Sequence, residues 1–235
     1  MAVESAIVLP MFVFLILGIL QLGLMHQARL MTKYAAYRAA RAGSLNNADR
    51  SKMKDAAIAA LLPLLARGDA VTKSAGATDF AIKYQIHRTA LQGKLADFPM
   101  MDNVVVNTCG PLQKQLAGKA EIDFDDPAVA FPQEWAKSRI TQLKVQVLFN
   151  YQLIIPFANA TIYAIYTNLA TSPLLHLGKD GKDFGGPKHL PYVLAGQAGT
   201  YVIPIRASYA MRMQSNPYKD QLPTSSSACK FSFRY

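Results

Sequence analysis

The side chains whose type and spacing bear on chemistry are few: two cysteines, an acidic cluster, a glycine-rich run, four histidines and an isolated N-terminal acid. Cys109 and Cys229 are the only cysteines. An even pair reads as a disulfide in an exported domain and as two free thiols in a cytosolic one. Closing so long a loop is worth on the order of 4–5 kcal/mol in the chain-entropy description, less any strain. Their spacing excludes a CxxC redox motif and a zinc knuckle. Glu121-Ile-Asp-Phe-Asp-Asp126 gathers hard oxygen donors of the kind that hold calcium, but no glycine stands where an EF-hand loop turns. A solvated acidic loop ahead of Pro127 is the simpler reading. Gly178-Lys-Asp-Gly-Lys-Asp-Phe-Gly-Gly186 has glycines that let backbone amides face an anion. No strand leads into it and no helix leads out, so it is neither a P-loop nor a dinucleotide fingerprint. His26, His87, His176 and His189 lack metal-ligand spacing. No Gly-x-Ser-x-Gly elbow is present. No catalytic constellation, cofactor or metal site emerges, and the expectation is a protein that is not an enzyme.

Glu4 differs from these because it precedes a long apolar run. Ser5 to Met25 is uncharged, at about 1.5 Å per residue roughly 30 Å of helix, enough to cross the hydrocarbon core of a bilayer. A carboxylate at the edge of such a span costs several kcal/mol if desolvated and so needs a partner. The alternative is an acid solvated at the membrane surface or favoured by a helix N-terminus. Pro10 removes a backbone donor and predicts a kink. Gly18 and Gly23 are five apart and make no GxxxG motif.

From His26 to Ala42 the pattern becomes amphipathic, with a stop predicted at Gly43. His26, Arg29, Lys33, Tyr34, Tyr37, Arg38 and Arg41 share one face. Ala28, Met31, Thr32, Ala35, Ala39 and Ala42 share the other. The small-residue stripe permits close approach of another element. The pattern leaves open whether that element is the chain's own globular part or a neighbouring subunit.

Ala2-Val-Glu-Ser-Ala-Ile-Val-Leu-Pro10, Leu17-Gly-Ile-Leu-Gln-Leu-Gly23 and Tyr37-Arg-Ala-Ala-Arg-Ala-Gly43 together resemble the start of TadE/TadG-like pilins, the pseudopilins of tight-adherence (Flp-type) systems. The likeness is strongest over residues 2–43. A weaker echo lies near Leu153-Ile-Ile-Pro-Phe157, Ile203-Pro-Ile-Arg-Ala207 and Met211-Arg-Met-Gln-Ser215. The resemblance implies a bacterial subunit held in the inner membrane by its N-terminal helix, later packed through that helix in an extracellular or surface filament. It implies a prepilin peptidase, an inner-membrane assembly platform and other pilins, identical or not, as partners, with major, minor and tip roles open. It implies that Glu4 compensates an amino group in the filament core. The residues expected to carry assembly are Glu4, Pro10, Ala28, Ala35, Ala39 and Ala42, with Cys109 and Cys229 as the disulfide. Pilin-like chains usually have the acid as the fifth mature residue, whereas here it is fourth from Met1, with no basic leader. Arg29, Lys33, Arg38 and Arg41 come after the span, so loop charge alone places residues 44–235 in the cytoplasm; a removed basic leader reverses that orientation. The alternative function is a signal-anchored, monomeric, adhesin-like binding module.

Beyond the assembly helix (1–43), residues 44–235 read as an α+β head: an antiparallel sheet of three or four strands packed on helices. Residues 46–66 predict a helix capped by Asn47, bent at Pro63 and ended at Gly68. Residues 80–98 mix both periods and favour a helix. Strands are predicted at Asn103–Cys109, Thr141–Tyr151 and Tyr201–Met213, with Pro204 marking an edge or bulge. Phe231, Phe233 and Tyr235 suggest a terminal strand. Pro156–Leu169 predicts a short helix with Phe157, Ile162, Ile165 and Tyr166 inward, and residues 172–199 an irregular excursion. The 25 basic and 15 acidic side chains, net +10, are scattered. They fit the solubilisation of an exported domain, and no basic run with interleaved aromatics points to nucleic acid.

Overall fold

The uncharged run and the amphipathic segment after it form one helix, α1, Ala2–Leu45. Its 44 residues extend about 66 Å. The computed structural model describes residues 2–65, 76–90, 101–116, 120–121, 123–125, 140–171, 190–225 and 229. After α1 come α2 (Arg50–Leu65), α3 (Ala77–Ala90), β1 (Val104–Gly110) and a 3-10 turn at Gln113–Leu116. Then come β2 (Gln142–Gln152), α4 (Ala158–Thr171), α5 (Leu190–Gln197), β3 (Val202–Arg212) and a 3-10 turn at Lys219–Gln221. The architecture is α+β.

The three strands form an antiparallel sheet in the order β1-β2-β3. Val106 pairs with Val147, and Val147 with Ala207. The register slips between Thr108 and Gly110. Period-two alternation in β2 puts Leu143, Val145, Val147, Phe149 and Tyr151 on one buried face. Full burial of each aliphatic side chain there contributes about 1.5–3 kcal/mol. Pro204 lies in β3, an edge strand, where its missing donor costs no interior ladder bond.

The C-terminal half of α1, with α2 beside it, covers this face. Ala28, Ala35, Ala36, Ala39 and Ala40 are wholly buried there. The stripe of small residues is therefore occupied by the chain's own sheet, because alanine lets the helix axis come close to the strands. The buried Thr32 hydroxyl donates back to the Ala28 carbonyl at 2.7 Å. On the opposite face His26, Arg29, Lys33, Arg38 and Arg41 are open to solvent. Tyr37 reaches across to stack edge-on against Tyr209 of β3, ring centroids 5.3 Å apart.

Several local expectations change. Gly43 does not end α1, which runs on to Leu45. Gly43 instead sits where α1, α2 and β2 converge. A Cβ there would lie 2.5 Å from Met53 Sδ and 2.7 Å from Leu143 Cδ2. The turn after α1 is made by Asn47 and Ala48, with φ of 55° and 63°. Asn47 is not the cap of α2: its amide donates to Ser215 Oγ and its side chain to the Asn216 carbonyl. Asp49 caps α2, accepting from the Ser51 amide and hydroxyl, both at 2.9 Å. Those donors, the Ser51 amide foremost, hold the Asp49 carboxyl below its ordinary value. Pro63 lies in the last turn of α2, as expected, two residues before its end at Leu65. Phe157 and Ile165 point outward rather than in, while Ile162, Tyr163 and Tyr166 pack on the core. Part of the 172–199 excursion is helix α5. The proposed terminal strand, Gly68 and the glycine-rich run lie outside the described residues.

Candidate assembly surface

The first half of α1 is left uncovered by the rest of the chain. Val8, Leu9, Met11, Phe12, Val13, Phe14, Leu15, Ile16, Ile19 and Leu20 are all exposed. So large a contiguous apolar surface is not stable in water and calls for lipid or protein around it. By length and composition α1 suits a bilayer crossing. Pro10 is exposed within this half and offers no donor to the carbonyl four residues back. Glu4 lies on the first turns of α1, where the helix dipole favours an acid. Its side chain is outside the described residues. Of the other residues expected to carry assembly, Ala28, Ala35 and Ala39 are buried in the chain's own core and Ala42 is half-buried.

The boundary between the open and covered halves is Gln21, wholly buried. Its Oε1 accepts the Ile155 amide at 2.9 Å, and its Nε2 is buried without a hydrogen-bond partner. Sequence reasoning passed over this residue. The signal was its isolation, a lone amide between Leu20 and Leu22 in an otherwise apolar run.

A second polar node sits just above. Asn150 Nδ2 donates to the Asp102 carbonyl, and Asn150 Oδ1 accepts the Tyr192 hydroxyl at 2.8 Å. The Tyr192 carbonyl accepts the Tyr163 hydroxyl at 2.7 Å. Burial pushes the Tyr192 phenol up to about 12; Tyr166 adds to this and Arg206 opposes it. Burial also raises Tyr163 and Tyr166. The node ties α4 and α5 to the sheet, and its phenols are held neutral in a structural role.

Cys109 and Cys229 form a disulfide. It fixes the C-terminal tail to the end of β1. Glu121, Asp123 and Asp125 are exposed to solvent, as the reading of a solvated acidic loop expects, and the backbone around them is tied down. Glu121 bridges to Tyr218, the Phe124 amide donates to Asn216 Oδ1, and the Asp125 amide to Asp123 Oδ1. Among the described residues no group of three or more His, Cys, Asp or Glu is arranged to hold a metal ion. His26 is exposed on α1; His176 and His189 and the side chain of His87 lie outside the described residues.

The family model described as TadE-like protein matches residues 1–41, nearly the whole of α1. No curated protein and no solved structure matches the chain. The matched segment is consistent with a TadE-like protein of Tad pilus systems.

Proposed function

We propose that the protein is a structural subunit of a Tad-type filament, anchored in the inner membrane by α1 before assembly and packed through α1 afterwards. The observation that carries this reading is the division of α1 at Gln21. Below it the helix presents apolar side chains to the surroundings, and above it the helix is built into the head. The TadE-like match over residues 1–41 supports the association with a Tad pilus, a structural rather than an enzymatic setting. Lipid is already apolar, so transfer from bilayer to filament gains little from hydrophobic burial. The gain comes from helix packing and from Glu4 acquiring a partner.

Two features make the head suited to display outside the cell. The Cys109–Cys229 disulfide persists in an oxidising compartment. The Asn47 bonds to Ser215 and Asn216, with the Gln214 amide on the Ser44 carbonyl, hold α1 to the head at its far end. Prepilin peptidase and an assembly platform are the partners this reading requires.

The test is Glu4→Ala in the native cell. The head stays folded, the protein inserts, and filament yield falls. Unchanged yield would remove the special role of Glu4. A protein that stays monomeric in detergent, with no contact through α1, would favour a signal-anchored binding module instead.

A further inference from the structure

The sheet register gives the head a direction along α1. The start of β2 and the end of β3 lie at the C-terminal end of α1, where the Gln214 amide donates to the Ser44 carbonyl. The end of β2 lies at Gln21. Eleven strand residues at about 3.3 Å match twenty-four helical residues at about 1.5 Å, each roughly 36 Å. The end of β2, the starts of β3 and α4, and α5 (tied to α4 through Tyr163) therefore sit at the Gln21 end of the head.

Among the described residues that end is poor in charge. No Asp, Glu, Lys or Arg occurs from Val145 to Gly178 or from Leu190 to Ile205, in a chain whose charged fraction is 17%. It is also where large apolar side chains of the head stand in solvent. Phe157 is 74% exposed and Ile154 61%. Ile165 on α4 and Leu190, Val193 and Leu194 on α5 are exposed as well. Thr161 and Ile165, four residues apart, share one outward face of α4, and Phe157 stands exposed just before its first residue. Among the described residues, Asp102 on the β1 edge is an exposed acid at this level, and Arg206 lies near Tyr166 and Tyr192.

The distances choose the occupant. From Ala2 to Leu20 the helix covers about 28 Å, close to the roughly 30 Å of a hydrocarbon core. Gln21 and the Ile155 loop then lie at the bilayer surface. On the open side of α1 the unbroken apolar run stops at Leu24; beyond it His26, Arg29 and Lys33 stand exposed alongside Leu30, starting at the height of the lipid headgroups. We propose that the charge-poor, apolar end of the head is a membrane-resting surface, with Ile154, Phe157 and Ile165 set into the interface of the bilayer that α1 crosses. The proposal rests on the anchored state of the function proposed above. It gives the head a fixed height and tilt before assembly, and it requires this surface to leave lipid when the subunit enters a filament.

The experiment uses the full-length protein, disulfide intact, in vesicles of phosphatidylethanolamine and phosphatidylglycerol. Nitroxide labels are placed through Phe12→Cys, Phe157→Cys and Lys219→Cys, with Ile165→Cys as a second label on the surface should Phe157→Cys perturb the fold. Collision with oxygen, which concentrates in lipid, is compared with collision with a water-soluble nickel chelate. The proposal expects labels at 12, 157 and 165 to favour oxygen and the label at 219 to favour nickel. Positions 157 and 165 behaving like 219 while 12 favours oxygen would overturn this proposal and leave the anchor standing. Position 12 favouring nickel would overturn the anchor, and this proposal with it. Shielding of 157 and 165 from both probes at high protein density, lost on dilution with lipid, would assign the surface to a second copy of the chain and overturn the membrane assignment.

Discussion

The Ile155 amide donates to the side-chain oxygen of Gln21 across 2.9 Å, joining the membrane-type half of α1 to the loop that leaves β2. This is the point at which the helix passes from its exposed apolar half into the packed head. The bond is half-buried, so its loss leaves the Ile155 amide with restricted access to water. Gln21→Leu fits the helix and removes the unpartnered Nε2, yet it strands the Ile155 amide. The expected cost is about 1–3 kcal/mol. It should appear as earlier proteolysis at the β2–α4 loop and a lower unfolding midpoint in detergent. Equal midpoints would mean that relieving the orphaned Nε2 offsets the lost bond.

Gly43 is the second hinge of the packing, for a different reason. A methyl group there meets Met53 Sδ and Leu143 Cδ2 well inside van der Waals contact. Gly43→Ala raises helix propensity by roughly 1 kcal/mol. Overpacking of the α1–α2–β2 junction costs about 1–3 kcal/mol and is expected to prevail. Adding Met53→Ala should recover part of the loss, because it removes the flexible side chain that the methyl strikes. Unfolding midpoints of the two single variants and the double variant measure that coupling. Additive changes would show that the methyl is accommodated elsewhere.

These two residues also show what could be read in advance. The division of α1 into an open face and an alanine face was legible from 3.6-residue spacing, and β2 and β3 from alternation. The occupant of the alanine stripe was not, because small residues accept either a sheet of the same chain or a neighbouring helix. Gly43 was read by its conformational freedom, whereas its place is set by Met53 and Leu143, which arrive from distant sequence. Asn47 offered a cap by composition, but its partners Ser215 and Asn216 lie far along the chain. Phe157 looked like core because it is aromatic. Its outward position results from a left-handed turn, φ 66°, that propensity does not foresee.

The Cys109–Cys229 bond closes 120 residues of sequence. In the chain-entropy description such a loop stabilises the fold by on the order of 4–5 kcal/mol. Cys229→Ala should therefore lower the denaturant midpoint of the head markedly, and reduction of the parent should reproduce the change. Matching midpoints with and without reductant would show that the unfolded chain is already compact enough to make the link inconsequential.

The Tyr192 phenol provides a pH test of the node that fastens α4 and α5 to the sheet. Burial raises it from 10.0 to about 12, so the folded state holds the proton more tightly than the unfolded chain. Its contribution is complete below pH 10 and is lost as pH rises toward 12. Two units correspond to at most about 3 kcal/mol, and partial relaxation brings the expected loss nearer 2. Tyr192→Phe removes the titration and also leaves Asn150 Oδ1 without its donor. At neutral pH this variant should be less stable by about 1–2 kcal/mol. Above pH 10 its stability should fall less steeply than that of the parent, and the two curves should converge. Tyr163 and Tyr166, raised for the same reason, leave it a residual slope. Urea midpoints from neutral pH to about 12 decide the matter. Parallel curves would place the alkaline transition on Tyr163 and Tyr166 instead, and the Tyr192–Asn150 bond would then count only for packing.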